Sequence, residues 1–446
     1  MSTTATRRRF LAGLATAAAA PALAHPAFGQ EPIDPASFRL YPNSTESQTG
    51  AFSAACAAAA AAGLPLFLPA GIYIIGYAEL PAGLLLQGVP GATILQFDSI
   101  GGALRAGGQS NITLDGLVLD GAFTVQATAG GNLRLEDCDG ILVSRCIIRD
   151  GRANGISIER SAVRIEGCDI FGCDEAAVFA LDSRGISVSS CRISGCGNGG
   201  VLVWRSDNGR DGSIISGNSI STINNRSGGS GQYGNGINVF RADEVIVSGN
   251  HIADVQFSAI RLNSTNNTQV SGNTCLNSGE VAIFSEFAFS GSIIADNIVD
   301  GAAQGISITN FNEGGRLATC TGNIVRNITP TSPVNPDTDP VGIFAEADAV
   351  ISGNVVEAVP GLGIGAGWGP YLRDVVVTDN VVRDVEIGIG VSVADGAGTA
   401  LVSGNLVSGA RKAEIAGLAW EEMVSDSLER DAARFPNVTV TGNALS

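Results

Sequence analysis

Lysine and histidine are nearly absent from this sequence of 446 residues. Lys412 is the one lysine, and His251 is the one histidine beyond the first 30 residues. Acidic residues outnumber basic ones by 43 to 26, which gives a formal net charge of −17. A nucleic-acid binder needs a basic surface to neutralise phosphates, so this balance excludes that class of function. The scarcity of histidine also argues against a lyase or epimerase that depends on a histidine base.

Several cofactor motifs are missing as well. The sequence contains no Cys-x-x-Cys pair, and no glycine-rich loop follows a predicted strand in the manner of a phosphate site. We therefore expect no zinc and no nucleotide cofactor. The 59 glycines show no triplet period, which excludes collagen, and 45% hydrophobic residues exclude general disorder.

The N-terminus carries an export pattern. Residues 6–11 read TRRRFL, a twin-arginine pattern, and an apolar run from Leu11 to Leu23 follows with a small-residue cleavage pattern at its end. That run is short for a membrane span, although an uncleaved anchor is the alternative. We predict a twin-arginine signal peptide over 1–29 and a periplasmic or secreted protein, with no membrane span in the mature chain.

A repeat of about 23 residues is the strongest signal in the chain. A hexamer of the form Gly/Ala-apolar-x-apolar begins at Gly155, Ala177, Gly200, Gly236, Ala259, Ala282, Gly305, Gly342, Gly363 and Gly388. A second mark, mostly Ser/Thr-Gly/Asp-Asn, ends at Asn218, Asn250, Asn273, Asn297, Asn323, Asn354, Asn380, Asn405 and Asn443. Three short β-branched segments per repeat predict one coil of a parallel β-helix, and the crossover preference of parallel strands predicts a right-handed one.

The predicted domain fills residues 30–446, with about a dozen coils between about 66 and 410. Exposed strand edges at both ends need caps. The alanine-rich segment 49–62 predicts a helix at the first end. The spacing of apolar residues in 413–434 predicts a second helix with Trp420 facing inward, before a last strand at 438–443.

Equivalent residues of stacked coils form ladders with a spacing of about 4.8 Å. An inward asparagine at each turn can bond the asparagine of the next coil and satisfy buried backbone groups. Cys146, Cys168 and Cys191 hold the same place in three earlier repeats. We expect them to be buried thiols, although their spacing would allow a disulfide.

The segment Leu68-Pro69-Ala70-Gly71-Ile72-Tyr73 after the first helix looks like the opening of the pectate-lyase-like β-helix superfamily. Together with the twin-arginine pattern, the Ser-Gly-Asn repeat and the Trp-containing C-terminal segment, it resembles the TAT-translocated repetitive protein family over essentially the whole chain. The resemblance implies a parallel β-helix fold. The wider superfamily includes polysaccharide lyases, hydrolases, epimerases and non-enzymatic adhesins, so the resemblance does not decide the activity.

Strand alternation places hexamer positions 3 and 5 outward and position 6 at the following turn. On this outer face, four consecutive coils bring together Trp204, Arg205, Asn238, Phe240, Arg241, Arg261, Asn263 and Glu286. Aromatic rings beside arginines and amides suit sugars that bear carboxylates. We predict Arg261 and Glu286 as catalytic residues, and the other six together with Trp368 as substrate-binding residues. The alternative is that Arg261 and Glu286 only pair across coils while the aromatics pack under loops.

Glu136 and Glu159 form an alternative catalytic pair on neighbouring coils, about 5 Å apart. Two such carboxyls could share a proton, hold Ca²⁺, or act at the separation of a retaining glycosidase. Neutralisation by Arg134 and Arg160 is the competing explanation.

Two function classes therefore stay open. The first is an exported lyase or hydrolase acting on an acidic, uronate polysaccharide. The second is a non-catalytic protein that binds polysaccharide or serves as a structural part of the envelope. In both cases we expect an acidic polysaccharide as the partner of a monomeric protein.

Overall fold

The computed structural model describes residues 31–98, 102–123 and 130–446. The predicted signal peptide at 1–29 lies outside the described residues. The described residues form an all-β parallel β-helix, in which each strand pairs in register with the equivalent strand of the next coil. Within the described part of the chain, no helix combines the length and apolarity needed to cross a membrane.

One face of the β-helix is a fifteen-stranded parallel sheet in the described residues. Its strands are Leu66–Leu68, Leu85–Gly88, Thr113–Asp115, Ile141–Ser144, Val163–Glu166, Ser187–Ser189, Ile214–Ser216, Ile246–Ser248, Asn266–Ser271, Ser290–Ala295, Arg316–Thr321, Ala347–Ser352, Arg373–Thr378, Ala400–Ser403 and Val438–Thr441. With about 14 turns, the β-helix is longer than the dozen coils that the repeat predicts.

A second sheet supplies the other two faces. The face that follows the fifteen-stranded sheet in each coil contains Gly71–Ile75, Thr93–Phe97, Val118–Asp120, Ile147–Arg149, Asp169–Phe171, Arg192–Ser194, Ser219–Ile223, His251–Val255, Ile324–Ile328 and Ala444–Leu445. The hexamer strands form the last face, with Tyr77–Glu79, Ala103–Gly107, Gly131–Glu136, Asn154–Glu159, Ala176–Leu181, Gly199–Arg210, Asn235–Asp243, Ile260–Asn263 and Val341–Ala345. Later strands run through both faces, namely Thr274–Glu286, Ile298–Ile308, Val355–Ala366, Val381–Ser392 and Leu406–Ala419.

The N-terminal end is covered by the helix α1, Thr49–Ala62. Phe52, Ala55 and Ala59 on one side of the helix are buried in the core, because they pack on the first coil. Gly63 ends the helix in the left-handed conformation that glycine adopts without strain. In the described residues, three short 3₁₀ turns complete the helical content, at Pro35–Phe38, Phe311–Glu313 and Ala432–Arg434.

The predicted helix at 413–434 is wrong. Leu406–Ala419 is a strand, Glu422–Ser425 folds back on it antiparallel, and only Ala432–Arg434 is helical. Ile415 pairs with Ile389 of the preceding coil. The open edge of that coil offers strand partners that outweigh local helix propensity. Trp420, predicted to face inward, is 47% exposed at the tip of the resulting hairpin.

The asparagine ladder joins the turns between the fifteen-stranded sheet and the next face. The Oδ1 atom of Asn297 accepts hydrogen bonds from the backbone nitrogen and the Nδ2 atom of Asn273, at 3.0 and 2.9 Å. Its own Nδ2 donates to the Oδ1 of Asn323 and to the backbone oxygen of Val270. The same pattern repeats from Asn218 to Asn443.

Cysteines occupy the same turn before the asparagines begin. Cys146, Cys168 and Cys191 are buried, and the backbone nitrogen of Cys191 donates to the Oδ1 of Asn218, the first asparagine of the ladder. All nine cysteines lie within the described residues, where each is buried and unpaired. The stacked cysteines thus fill the core as small apolar side chains.

Replacing Asn297 with alanine should destabilise the β-helix. The substitution removes the acceptor of the buried Asn273 backbone nitrogen and the Nδ2 donor to the carbonyl of Val270, while the Nδ2 of Asn273 keeps the carbonyls of Val247 and Ser271. The loss costs on the order of 1–3 kcal/mol. Chemical denaturation should show an earlier midpoint for Asn297→Ala. Asn312→Ala removes an exposed amide and is the matched control, with an expected effect within about 0.5 kcal/mol. Equal midpoints for the two variants would contradict a stabilising ladder.

Candidate functional site

The outer face of the hexamer strands, called the floor below, carries the candidate site. Backbone register stacks one residue of each coil directly on the next along this face. The position-5 ladder runs through Gly107, Glu136, Glu159, Leu181, Trp204, Phe240, Asn263 and Glu286. The side chains named from the hexamer spacing are therefore neighbours in space, coil by coil.

An aromatic cluster of Phe179, Trp204, Tyr233 and Phe240 lies at the centre of the floor. The Trp204 ring centroid is 5.4 Å from that of Phe179, 6.0 Å from Tyr233 and 6.2 Å from Phe240. Trp204 is half-buried, and its Nε1 donates to the Oδ1 of Asn238 at 3.0 Å. Asn238 is itself buried, so its role is to orient the indole.

A short insertion forms one rim beside Trp204. Register is kept between Trp204 and Phe240 and resumes between Gly209 and Ala242, so residues 205–208 bulge out of the strand. The Nδ2 of Asn208 donates to the backbone oxygen of Ser264, two coils away. The insertion is thereby held over the floor rather than free in solvent.

Arginines without carboxylate partners gather at this rim. Among the arginines in the described part of the chain, only Arg39, Arg184, Arg205 and Arg241 form no ion pair. Three of the four leave the ends of consecutive hexamer strands. Arg241 lies over the Phe240 ring at 4.8 Å from its centroid and donates to the backbone oxygen of Ser206. Asp207 stands among these arginines, and the backbone nitrogen of Ser206 donates to Asp182, so the rim is a surface of mixed charge that includes arginines outside any ion pair.

Two residues of this site escape detection in the sequence. Tyr233 lies in the glycine-rich loop 224–234, where no repeat predicts its position. Arg184 stands three residues beyond the strand Ala176–Leu181, outside the repeat positions.

The predicted catalytic residues Arg261 and Glu286 form a buried ion pair. The Nε and Nη2 atoms of Arg261 donate to the two Glu286 oxygens at 2.7 and 3.0 Å, and Nη1 donates to Glu280 at 2.9 Å. Arg261 is 8% exposed, and both acids are 3% exposed. Asn263 donates to Glu286 at 2.8 Å and so supports the same network. These contacts agree with the alternative in which Arg261 and Glu286 only pair with each other across coils.

Two long loops seal this network. A Cβ atom on Gly231 would lie 1.9 Å from the Nη1 of Arg261, so only glycine lets the backbone cover the guanidinium this closely. From the other side, Asn335 in the segment 329–340 donates to Glu280 at 3.0 Å. Burial raises the pKa of the Glu280 carboxyl.

The alternative pair, Glu136 and Glu159, is held by arginines. Glu136 accepts hydrogen bonds from Arg105 and Arg134, and the Arg105 bond in particular lowers its pKa. Glu159 pairs with Arg160, which also binds Asp137. These contacts agree with the competing explanation, in which Arg134 and Arg160 neutralise the two carboxylates. Arg105 is a third arginine in the network, which the sequence analysis does not single out.

A cavity of about 650 Å³ lies beside this acidic pair rather than at Trp204. Its walls include Ser53 and Ala57 of α1 together with Glu79, Arg105 and Glu136. Arg105 is already shared between Glu79 and Glu136, so an anionic ligand would have to displace an ion pair there. In the described residues, no group of three or more His, Cys, Asp and Glu side chains is arranged to hold a metal ion.

Trp368 lies on the same floor but six strands beyond Trp204. It follows Gly367, which shares the position-5 register with Glu346. Its ring contacts Trp420, at 5.6 Å between centroids. The structure therefore separates Trp368 from the central group and joins it to the C-terminal hairpin.

Glu346 is a floor carboxyl of a different kind. It is 8% exposed and accepts a hydrogen bond from the backbone nitrogen of Phe311 at 2.6 Å. It belongs to no ion pair within the described residues, and burial raises its pKa to about 6. The position-5 spacing predicts its place on the floor, but only the surrounding fold decides that it is buried.

Comparison with known proteins identifies the fold. The family model for the right handed beta helix region matches residues 102–232 and 161–321. The chain is a right-handed parallel β-solenoid. None of the curated proteins matches the sequence.

Solved structures with this architecture are distant in sequence. The N-terminal fragment of bacteriophage Phi29 gene product 12 aligns with a TM-score of 0.52 and 13% identity, covering 92% of this chain and 66% of that chain. The Dettilon tailspike protein, gp208, aligns with a TM-score of 0.51 and 16% identity, covering 83% of this chain and 65% of that chain. The alignments thus span just under two thirds of the phage chains, and they show a shared fold.

The stability of the protein should depend on pH through Glu346. Its folded pKa of about 6 exceeds the ordinary value of 4.5, so its contribution is full below pH 4.5 and is lost as the pH rises through 6. Between pH 4.5 and 7.5 the wild type should lose about 2 kcal/mol relative to Glu346→Gln, which carries no charge. Urea unfolding of both proteins across this range measures the difference. The exposed variant Glu313→Gln is the control, and a pH-independent gap between wild type and Glu346→Gln would rule out the effect.

Proposed function

We propose that this protein binds an acidic polysaccharide on the floor at Trp204. The observation that carries the proposal is a half-buried indole beside Arg205 and Arg241, two arginines that form no ion pair. An aromatic face stacks on the apolar side of a sugar ring, while guanidiniums pair with its carboxylates.

The charge balance of the whole protein supports this choice of ligand. Most arginines in the described residues form ion pairs, many of them between coils, as Arg192 does with Asp169. A net charge of −17 repels acidic polymers over most of the surface, but salt screens that repulsion beyond about 8–10 Å. An acidic ligand therefore requires arginines that no carboxylate already holds, and Arg205 and Arg241, which donate to backbone oxygens, meet this requirement beside Trp204.

Export fits the same function. The twin-arginine pattern at 6–11 directs the chain to the periplasm or outside the cell, where structural and storage polysaccharides are found. We propose this route, and a monomeric mature protein. The resemblance to the pectate-lyase-like superfamily agrees with a carbohydrate ligand and leaves catalysis open.

Cleavage of the polysaccharide by a lyase or hydrolase is the second candidate function. Glu346 favours it, because a floor carboxyl with a pKa near 6 has the property that a general acid needs. The sequence-predicted pair, Arg261 and Glu286, would have to open its buried ion pair to act. Binding without chemistry is therefore the function that the contacts support best.

Loss of the Trp204 ring should weaken binding. We expect Trp204→Ala to lose on the order of 1–3 kcal/mol toward polygalacturonate, about fivefold to 150-fold in Kd, and Arg241→Ala to lose affinity mainly at low salt. Calorimetric titration at two ionic strengths measures both. His251→Ala changes an exposed residue on another face and should bind as the wild type does. Three variants with the same Kd, all folded, would remove the Trp204 site from consideration.

A cleavage assay separates the two functions. We expect the wild type, incubated with polygalacturonate between pH 5 and 8 with and without Ca²⁺, to release neither reducing ends nor unsaturated uronates, since Arg261 and Glu286 are held in a buried ion pair. Cleavage that Glu346→Gln abolishes, while Glu313→Gln retains it, would instead establish the enzyme.

A further inference from the structure

Trp420 occupies a conformation that tryptophan rarely adopts. It is the first of two residues, Trp420-Glu421, that join the strands Leu406–Ala419 and Glu422–Ser425. Its φ is +59°, at a hairpin position where glycine or asparagine is normal. A bulky side chain with this backbone conformation is strained. The ring is nevertheless 47% exposed, so burial does not compensate for the strain.

Other rings hold the exposed indole in place. The centroid of Trp420 is 5.6 Å from that of Trp368 and 6.3 Å from that of Tyr371, both edge-on. A Cβ atom on Gly369 would lie 2.6 Å from the Trp420 ring, so the indole rests directly on that glycine backbone. The three rings form a rigid C-terminal platform, defined here as Trp368, Tyr371 and Trp420.

The C-terminal platform lies on the same edge of the floor as Trp204. Strand by strand, the position-5 register leads from Trp204 to Leu418, two residues before Trp420. Eight such steps at about 4.8 Å separate the two ends by about 38 Å. All three tryptophans of the protein thus lie along one line of the floor.

A further exposed ring stands between them. Phe287 follows Glu286 on the floor, is 40% exposed, and has a φ of +59°. The equivalent left-handed position in other coils holds Asp137, Arg160, Asp182, Arg241, Ser264 and Asn310. The turn itself therefore requires no aromatic residue, and Phe287 is an unfavourable choice for it.

From this alignment we propose that Phe287 and the C-terminal platform extend the binding site at Trp204 into one path for a long polysaccharide chain. The proposal rests on the function proposed above. The ligand class is a polymer rather than a short oligosaccharide, because a short chain at Trp204 does not reach a platform about 38 Å away. Exposed Glu421 and Glu422 flank the platform, so it binds the apolar face of a sugar ring by stacking and not a carboxylate.

Chain length is the property that tests this path. A second contact made by the same chain is intramolecular and raises the affinity for polymers alone. The variants are Phe287→Asn and Trp420→Asn, because asparagine tolerates a positive φ and removes the ring without added strain. Tyr41→Asn removes an aromatic residue that is 51% exposed elsewhere and is the matched control.

The probes are tetragalacturonate and polygalacturonate, titrated into each folded variant. We expect Trp420→Asn to bind the tetramer within twofold of wild type and the polymer at least tenfold more weakly, with a smaller polymer-specific loss for Phe287→Asn. Trp204→Ala should weaken both ligands. If Trp420→Asn binds the polymer as wild type does while Trp204→Ala binds both ligands more weakly, the path is wrong and the Trp204 site is retained. If Trp204→Ala loses nothing, or the wild type binds neither probe, the proposed function fails and the path with it.

Discussion

From Asn218 to Asn443, each coil of this β-helix is tied to the next by the side-chain amide of one asparagine. Asn250, for example, donates from its backbone nitrogen and its Nδ2 to the Oδ1 of Asn273, and its Nδ2 also reaches the carbonyl of Ile215. These groups are buried. The free-energy cost of leaving a buried donor or acceptor unpaired exceeds the stabilisation from any single packing contact. The ladder therefore permits one turn geometry and one register between coils.

That single register determines which side chains meet on the outside. Because each residue stacks on its counterpart one coil away, many opposite charges on neighbouring coils pair, as between Arg373 and Asp348 on the fifteen-stranded sheet. Such pairs contribute little stability individually when exposed, but they leave few arginines free to meet a ligand. Arg205 and Arg241 beside Trp204 stand out because they form no ion pair, and Glu346 stands out as a floor acid without a cation.

Insertions modify the floor without disturbing the stack. Long connections are tolerated because the entropic cost of closing a loop rises only slowly with the length of the loop. Here the loop that contains Gly231 and the segment that contains Asn335 both fold onto Arg261 and its acids. Burial strengthens the attraction between these charges, and the loops make the network a structural support beside the Trp204 site. The same device at residues 205–208 builds a rim instead.

Periodicity in the sequence was sufficient to predict the coil, the two ladders, the buried cysteines and the neighbours of Trp204, because a repeat of fixed length in a parallel stack places equivalent residues in contact. It was also sufficient to place α1, where alanine is strongly helix-forming. The C-terminal segment was misjudged because Ile415 and Leu418 suit a helix as well as a strand, and only the open edge of the preceding coil selects the strand. Whether Arg261 is a free cation, whether Glu346 is buried, and which way Trp420 points were decided by loops and by a hairpin that obey no repeat. Those contacts join residues far apart in the chain, and no local pattern encodes them.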